Sequence, residues 1–164
     1  MTAYRLAIPA DHAFITSYWS SSFRTSDRAG QMPMDPIPVK GVMLDYADVQ
    51  HAIVEATIAR PSSSTVVAID EESAVLQGFI CADHTGGVSR APGIPSGLPI
   101  VYFVCVKSAY RRMGIARGLF RAVAIDPAGA FTYAVRTAIV GKLREKIPLA
   151  KYDHLRARYK EGTP

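Results

Sequence analysis

Residues 109–120 read Ala-Tyr-Arg-Arg-Met-Gly-Ile-Ala-Arg-Gly-Leu-Phe, placing three arginines around a glycine and a small alanine. The apolar run Ile-Val-Tyr-Phe-Val-Cys-Val precedes this stretch, and Ile115, Leu119, Phe120 and Val123 recur behind it at helical spacing. The segment is therefore a turn leading from a strand into a helix. The first N–H groups of a helix have no carbonyl partner within it, so a turn kept open by Gly114 and Ala116 offers them to an anion. Arg111, Arg112 and Arg117 add charge at the same mouth. A bulky side chain at either small position would hold a pyrophosphate away from the backbone. No Gly-Lys-Ser/Thr closes the turn, and its glycines do not follow the dinucleotide G-x-G-x-x-G spacing.

Proton-carrying side chains are sparse near this turn. Tyr102 lies on the preceding strand, and Asp83 and His84 end the strand before that. His12, His51 and His154 stand apart without partner spacing and receive no role. Ser20 to Ser22 with His84 and Asp83 would make a hydrolytic trio, but no nucleophile elbow surrounds those serines. Cys81 and Cys105 fall inside apolar runs, where reduced thiols behave as small hydrophobes, and they offer no metal-ligand spacing.

The elements that must position these residues alternate in type. A short strand is expected at Tyr4–Ile8, and then a helix opened by Pro9 with Asp11 as its N-cap. Phe14, Ile15, Tyr18, Trp19 and Phe23 form a core-facing stripe on it. Thr25 to Lys40 carries three prolines and no period, and is expected to be a loop. A second helix spans about Asp45 to Arg60 and stops at Pro61. Ser64–Asp70 and Ala74–Asp83 are strands at hairpin spacing, and a second loop runs from Gly86 to Pro99. After the motif and its helix come a strand at Ala130–Thr137, a helix from about Ala138 to Lys146, and a last strand within Ala150–Tyr159. The order predicts one α/β domain over residues 1–164, a mixed sheet of about six strands with about four helices on both faces.

The chain has 164 residues, 49% hydrophobic and 20% charged, enough for one sizeable core. Its apolar runs are strand-length, well short of the roughly 20 residues that cross a bilayer, and a soluble cytoplasmic protein is expected. Net charge is +5, all of it carboxy-terminal: residues 1–135 hold 11 basic and 11 acidic residues, and residues 136–164 hold eight and three. Such an end would attract phosphate groups or serve as a solvated helix face.

In context the motif resembles the acetyl-CoA-binding signature of the GNAT superfamily of N-acetyltransferases. That signature is a strand ending in valine, about five residues, Arg/Gln-x-x-Gly-x-Gly/Ala, then Leu or Phe in the next helix. The matching residues are Val106, Arg111, Gly114, Ala116 and Leu119. The predicted element order also fits that family over nearly the whole chain. Within it the chain looks most like small acyltransferase-like proteins of bacteriophage genomes. The resemblance implies an acetyl-CoA-dependent N-acyltransferase acting on a small-molecule or protein amine, and permits a homodimer. Amides of Arg112, Met113, Gly114, Ile115 and Ala116 would hold the pyrophosphate. Val104 and Val106 would pair with the pantetheine arm where the fourth strand splays from the fifth, and the Val104 N–H would polarise the thioester carbonyl.

Two departures stand out. Many family members carry a glutamate base on the fourth strand, where Ile100 and its neighbours are apolar, leaving Tyr102 and His84 as candidate catalytic residues. Leu143–Leu149 matches the family's Leu-Tyr-Glu-Lys segment with Arg144 at the tyrosine acid, so Tyr133 and Tyr152 are candidate substitutes. A phage-type enzyme modifying nucleobases in DNA or RNA, and a non-catalytic GNAT-fold binding protein, are the alternatives. No metal is expected.

Overall fold

The computed structural model describes residues 1–24, 37–39, 42–44, 46–85, 93–134 and 149–152. Its elements follow the chain as β1 (Thr2–Leu6), α1 (Pro9–Arg24), β2 (Ile37–Val39), β3 (Val42–Leu44), α2 (Tyr46–Ile58), β4 (Ser63–Asp70) and β5 (Leu76–Asp83). Next come β6 (Ile100–Val106), a 3-10 turn at Ser108–Tyr110, α3 (Ile115–Ala122), β7 (Thr132–Tyr133) and β8 (Lys151–Tyr152). A six-stranded sheet has the order β1-β4-β5-β6-β7-β8, antiparallel up to β6 and parallel from there to β8.

The continuous apolar runs of β4, β5 and β6 are buried on both faces, as strands covered by helices on each side must be. Val67, Phe79, Cys81, Ile100 and Phe103 lie on one face, against Ile15 and Trp19 of α1 and Val54 of α2. Trp19 stacks on Phe103 with centroids 5.0 Å apart, and Phe103 lies 5.6 Å from Phe79. Val66, Ala68, Ile80, Ala82 and Val101 occupy the other face beneath Ile115 and Leu119 of α3. The mixed α/β sheet with helices on both faces is therefore as expected. The described residues contain three helices, and the segment expected to form a fourth, Ala138–Lys146, lies outside them.

The expected boundaries need three corrections. The first strand lies two residues earlier, at Thr2–Leu6, because its register runs from Thr2 opposite Asp70 to Leu6 opposite Val66 before the chain turns into the helix. Asp11 is not the N-cap of α1: the helix begins at Pro9, and Asp11 in its first turn accepts the Ile8 N–H at 2.9 Å. Arg5 clamps the same carboxylate at 2.6 and 3.1 Å, tying β1 to the start of α1. The expected loop at Thr25–Lys40 includes β2, which pairs with β3 as a small hairpin. Three-residue strands, one containing Pro38, are too short to show a period of two. No helix of the described residues is long and apolar enough to cross a membrane.

Candidate functional site

The site is built around one irregularity in β6. The β5–β6 register shifts between Cys81 and Ala82, which pair with Phe103 and Val101, so Tyr102 is an extra residue on β6. This bulge puts the consecutive side chains of Tyr102 and Phe103 on the same face, and it reverses which main-chain groups turn away from β5. Before the bulge, the carbonyls of Pro99 and Val101 accept N–H groups of Thr132 and Ala134 on the β7 side, at 2.8 and 3.1 Å. After it, Lys107 N–H donates to the Gln77 carbonyl at 2.9 Å. By antiparallel alternation Cys105 and Phe103 also face β5, so Val104 and Val106 present their N–H and C=O groups to the other side. On that side β7 pairs only with Ile100 and Val101. Among the described residues, the β6 edge from Tyr102 to Val106 has no neighbouring strand. Arg111 reaches this edge, its Nε donating to the Val106 carbonyl at 3.4 Å.

Beyond β6 the chain enters the basic turn. Arg112 and Gly114 have φ of +69° and +78°, and Gly114 caps α3 with no side-chain bond. A glycine suits that left-handed position, whereas Arg112 is strained there. Gly118 N–H donates to the Gly114 carbonyl at 3.1 Å and is the first such bond of the helix. Among the described residues, no backbone acceptor is bonded to the N–H groups from Arg112 through Arg117. Apart from its chain neighbours, no atom lies within 4 Å of a Cβ built on Gly114, so the space in front of that residue is open. Exposed amides beside an exposed strand edge fit a ligand with a pyrophosphate and an amide-bearing arm, which is the donor set that acyl-CoA requires. Met113 is 64% exposed at the turn, Ala116 is exposed, and Ile115 is buried, so Ile115 contributes backbone only.

The proton-carrying candidates occupy unlike surroundings. Tyr102 is 3% exposed, and its hydroxyl accepts a hydrogen bond from the Arg60 guanidinium at 2.9 Å. Burial pushes its phenol above the usual range, with Arg60 opposing that rise and Asp83 adding to it. Asp83 is buried, pairs in register with Ile100, and accepts hydrogen bonds from Ser62 Oγ (2.7 Å), Thr85 N–H (2.8 Å) and Thr85 Oγ1 (2.6 Å). His84 follows at the end of β5 and is exposed. Cys81 and Cys105 are free thiols, both raised by burial, Cys81 to about 12.

Arg60, Ser62 and Thr85 had no signal in the sequence, since an arginine ending a helix before a proline is ordinary and only the β4–β5–β6 register brings it to Tyr102. Tyr133 lies on β7, half-buried against the α3 face. Tyr152 lies on β8, with only its backbone described. Arg144, and all the carboxy-terminal basic residues except Lys151, lie outside the described residues. Lys151 Nζ donates to the Gly93 carbonyl at 3.2 Å. Among the described residues no group of His, Cys, Asp and Glu forms a metal site.

No family model and no curated protein matches the sequence. Solved structures do match the fold. One is a histone acetyltransferase HPA2 and related acetyltransferase from Corynebacterium glutamicum, at TM-score 0.57 and 19% identity over 88% of this chain and 82% of that one. Another is the aminoglycoside 6'-N-acetyltransferase AAC(6')-Ih from Acinetobacter baumannii, at TM-score 0.52 and 16% identity over 100% and 94%. A third is the aminoglycoside N-acetyltransferase AAC(6')-Iy in complex with CoA, at TM-score 0.51 and 15% identity over 100% and 91%. The chain also spans 63% of a GNAT-family structure from Desulfovibrio desulfuricans, at a TM-score of 0.42 that carries no weight. The chain has the fold of the GNAT acetyltransferases.

Proposed function

We propose that this protein is an acetyl-CoA-dependent N-acyltransferase that acetylates an amine of a small molecule or a protein. The observation that carries this reading is the run of free amides from Arg112 through Arg117, directly after a strand whose outer edge is open. Bound acetyl-CoA supplies an activated thioester there. Amides of Arg112 to Ala116 hold its pyrophosphate, with Arg111, Arg112 and Arg117 adding charge. Val104 and Val106 hold the arm, and the Val104 N–H is assigned to the carbonyl oxygen that gains charge when an amine attacks. Position does most of the work, because direct attack needs two substrates aligned and little covalent chemistry from the protein.

The chain must also accept one proton from the amine and return one to the leaving sulfur. His84, exposed beside the start of β6, is assigned the first transfer. Tyr102, kept protonated by burial and oriented by Arg60, is assigned the second. The aminoglycoside acetyltransferases of similar fold support an amine acceptor. The test is a panel of acceptors, including aminoglycosides, amino acids, polyamines, peptides and single- and double-stranded DNA, incubated with acetyl-CoA while free thiol is read colorimetrically. Thiol release that depends on an amine supports the reading. Release with nucleic acid alone would replace the acceptor class, and binding of acetyl-CoA without release for any acceptor would overturn the enzymatic assignment.

A further inference from the structure

β1 is an end strand of the sheet, and among the described residues its outer edge has no neighbouring strand. The pairing on its inner side fixes what that edge presents. Ala7 N–H donates to the Thr65 carbonyl at 2.8 Å and Glu71 N–H to the Met1 carbonyl at 2.9 Å, so the odd-numbered residues bond to β4. Thr2, Tyr4 and Leu6 therefore turn their main-chain N–H and C=O groups outward. Of these groups, the Leu6 carbonyl accepts Arg5 Nη1 at 3.0 Å. Edge strands are commonly blunted by a lysine, a proline or a bulge, and β1 has none of these. Its one charged side chain, Arg5, is bound to Asp11. The rim is instead apolar, with Leu6 66%, Ile8 48% and Tyr4 37% exposed.

A cavity of about 540 Å³ adjoins this edge, lined by Tyr4, Gly114, Arg117, Gly118, Arg121 and Ala122. Among the described residues no side chain of β4 or β5 lines it, so it lies at the rim of the sheet. A Cβ added at Gly118 would overlap the Tyr4 hydroxyl, so glycine is what lets that ring lie against α3. Charge differs between the two ends of β1. Glu71 and Glu72, both exposed, follow β4 beside the Thr2 end. Tyr4, Ala68, Gly78 and Val106 form one row across the sheet, and α3, entered beyond Val106, runs back toward the start of β6 because β7 is parallel to β6. Gly118 lies at Tyr4, so Arg121, nearly a turn later, stands toward Leu6. Among the described residues, Glu71, Glu72 and Arg121 have no ion pair.

We propose that β1 pairs with β1 of a second copy of this chain, antiparallel about a two-fold axis at Tyr4, joining two sheets into one. That axis sets Tyr4 opposite the partner's Tyr4 and Thr2 opposite the partner's Leu6, so every outward main-chain group meets its complement in three narrow pairs. It also keeps the Tyr4 faces of both strands on one side. The partner's Leu6 then packs beside Tyr4 at the mouth of the cavity, where its apolar surface is removed from water. The same sense of pairing brings unlike charges together, because Arg121 at the Leu6 end faces the partner's Glu71 and Glu72 at the Thr2 end. A slip of two residues along the edge leaves a pair unmatched and separates those charges. The open edge of β6 is on the far side of β4 and β5, so this pairing leaves it accessible and stands independently of the acyl-transfer reading.

Sedimentation velocity on the untagged full chain, over a series reaching high micromolar concentration, tests it. The wild type should sediment as a dimer. Leu6→Lys places a lysine on the edge twice per dimer and should raise the dissociation constant by at least roughly tenfold, with the circular dichroism of the wild type because Leu6 is largely exposed. A charge series gives a second reading that does not depend on that variant folding. Arg121→Glu should weaken the dimer, and adding Glu71→Arg and Glu72→Arg to it should restore wild-type association, since the exchange only reverses the sense of each pair. A wild type that stays monomeric throughout the series would overturn the proposal. So would a dimer that folded Leu6→Lys leaves intact, or an Arg121→Glu defect that the exchange fails to restore.

Discussion

Replacing Gly78 by alanine reaches the candidate site from behind. Gly78 lies on β5 opposite Val106, and an added Cβ would meet the Cys105 carbonyl oxygen at 2.5 Å, Val106 Cα at 3.1 Å and Cys105 C at 3.4 Å. All three atoms are backbone, so no side-chain rotation relieves the contact. Restoring an ordinary separation of about 3.4 Å to that oxygen moves the end of β6 by roughly 0.9 Å. Overpacking of this kind costs about 1–3 kcal/mol. At roughly 2–4 °C per kcal/mol for a domain of this size, the melting temperature should fall by about 4–8 °C for a central cost of about 2 kcal/mol. The displaced segment carries Val104 and Val106. A shift near 1 Å in a positioning strand is worth up to about 100-fold in rate, so turnover should fall further than stability alone explains. Thermal unfolding followed by circular dichroism gives the first number, and thiol-release kinetics measured well below the melting temperature give the second. A Gly78→Ala variant that melts within about 1 °C of the wild type and turns over normally would refute the close β5–β6 contact and the role given to that strand edge.

Other outcomes follow from single residues. Arg5→Ala removes both hydrogen bonds to the buried Asp11 carboxylate, and urea denaturation at pH 7 should show a loss of about 1–2 kcal/mol, moderated because Arg5 is partly exposed. Burial raises the Asp11 pKa, but the Arg5 and Ile8 hydrogen bonds outweigh it, and the folded value lies below the usual one. The stabilisation is thus complete above the ordinary carboxylate pKa of about 4 and is lost as pH falls through the lower folded value; a wild-type advantage over Asp11→Asn that stays constant from neutral pH down into that acid range would contradict it. Tyr102→Phe should lower kcat and leave acetyl-CoA affinity unchanged, and unchanged kcat would remove the phenol from the proton path. With its thiol pushed up to about 12 and fully buried, Cys81 should resist iodoacetamide in the native protein at mildly alkaline pH and react only after unfolding, so rapid native labelling would contradict its burial.

The parts of the fold legible in the sequence are those with long, consistent patterns. The β6 run coincides with its predicted residues because seven apolar residues follow a loop and precede a basic turn. The amide turn was legible because Gly114 and Ala116 stand where a helix begins. The bulge at Tyr102 was not, since alternation is lost when every residue of a strand is apolar, and only the register with β5 exposes the extra residue. Arg60 and Asp83 meet around Tyr102 from positions 42 and 19 residues away, which no local spacing encodes. The Tyr4 cavity depends on how α3 lies across β1, and its one sequence mark, Gly118 inside a helix, reads in isolation as a weak helix former.

The central claim is that the amides from Arg112 through Arg117 and the open edge of β6 hold acetyl-CoA, and calorimetric titration of acetyl-CoA into the wild type and Gly114→Glu tests it most directly. The account predicts saturable one-to-one binding to the wild type and none to Gly114→Glu, whose carboxylate would block backbone approach and repel the pyrophosphate, with both proteins folded by circular dichroism. Undetectable wild-type binding at millimolar ligand, or equal affinity in the two proteins, would contradict it.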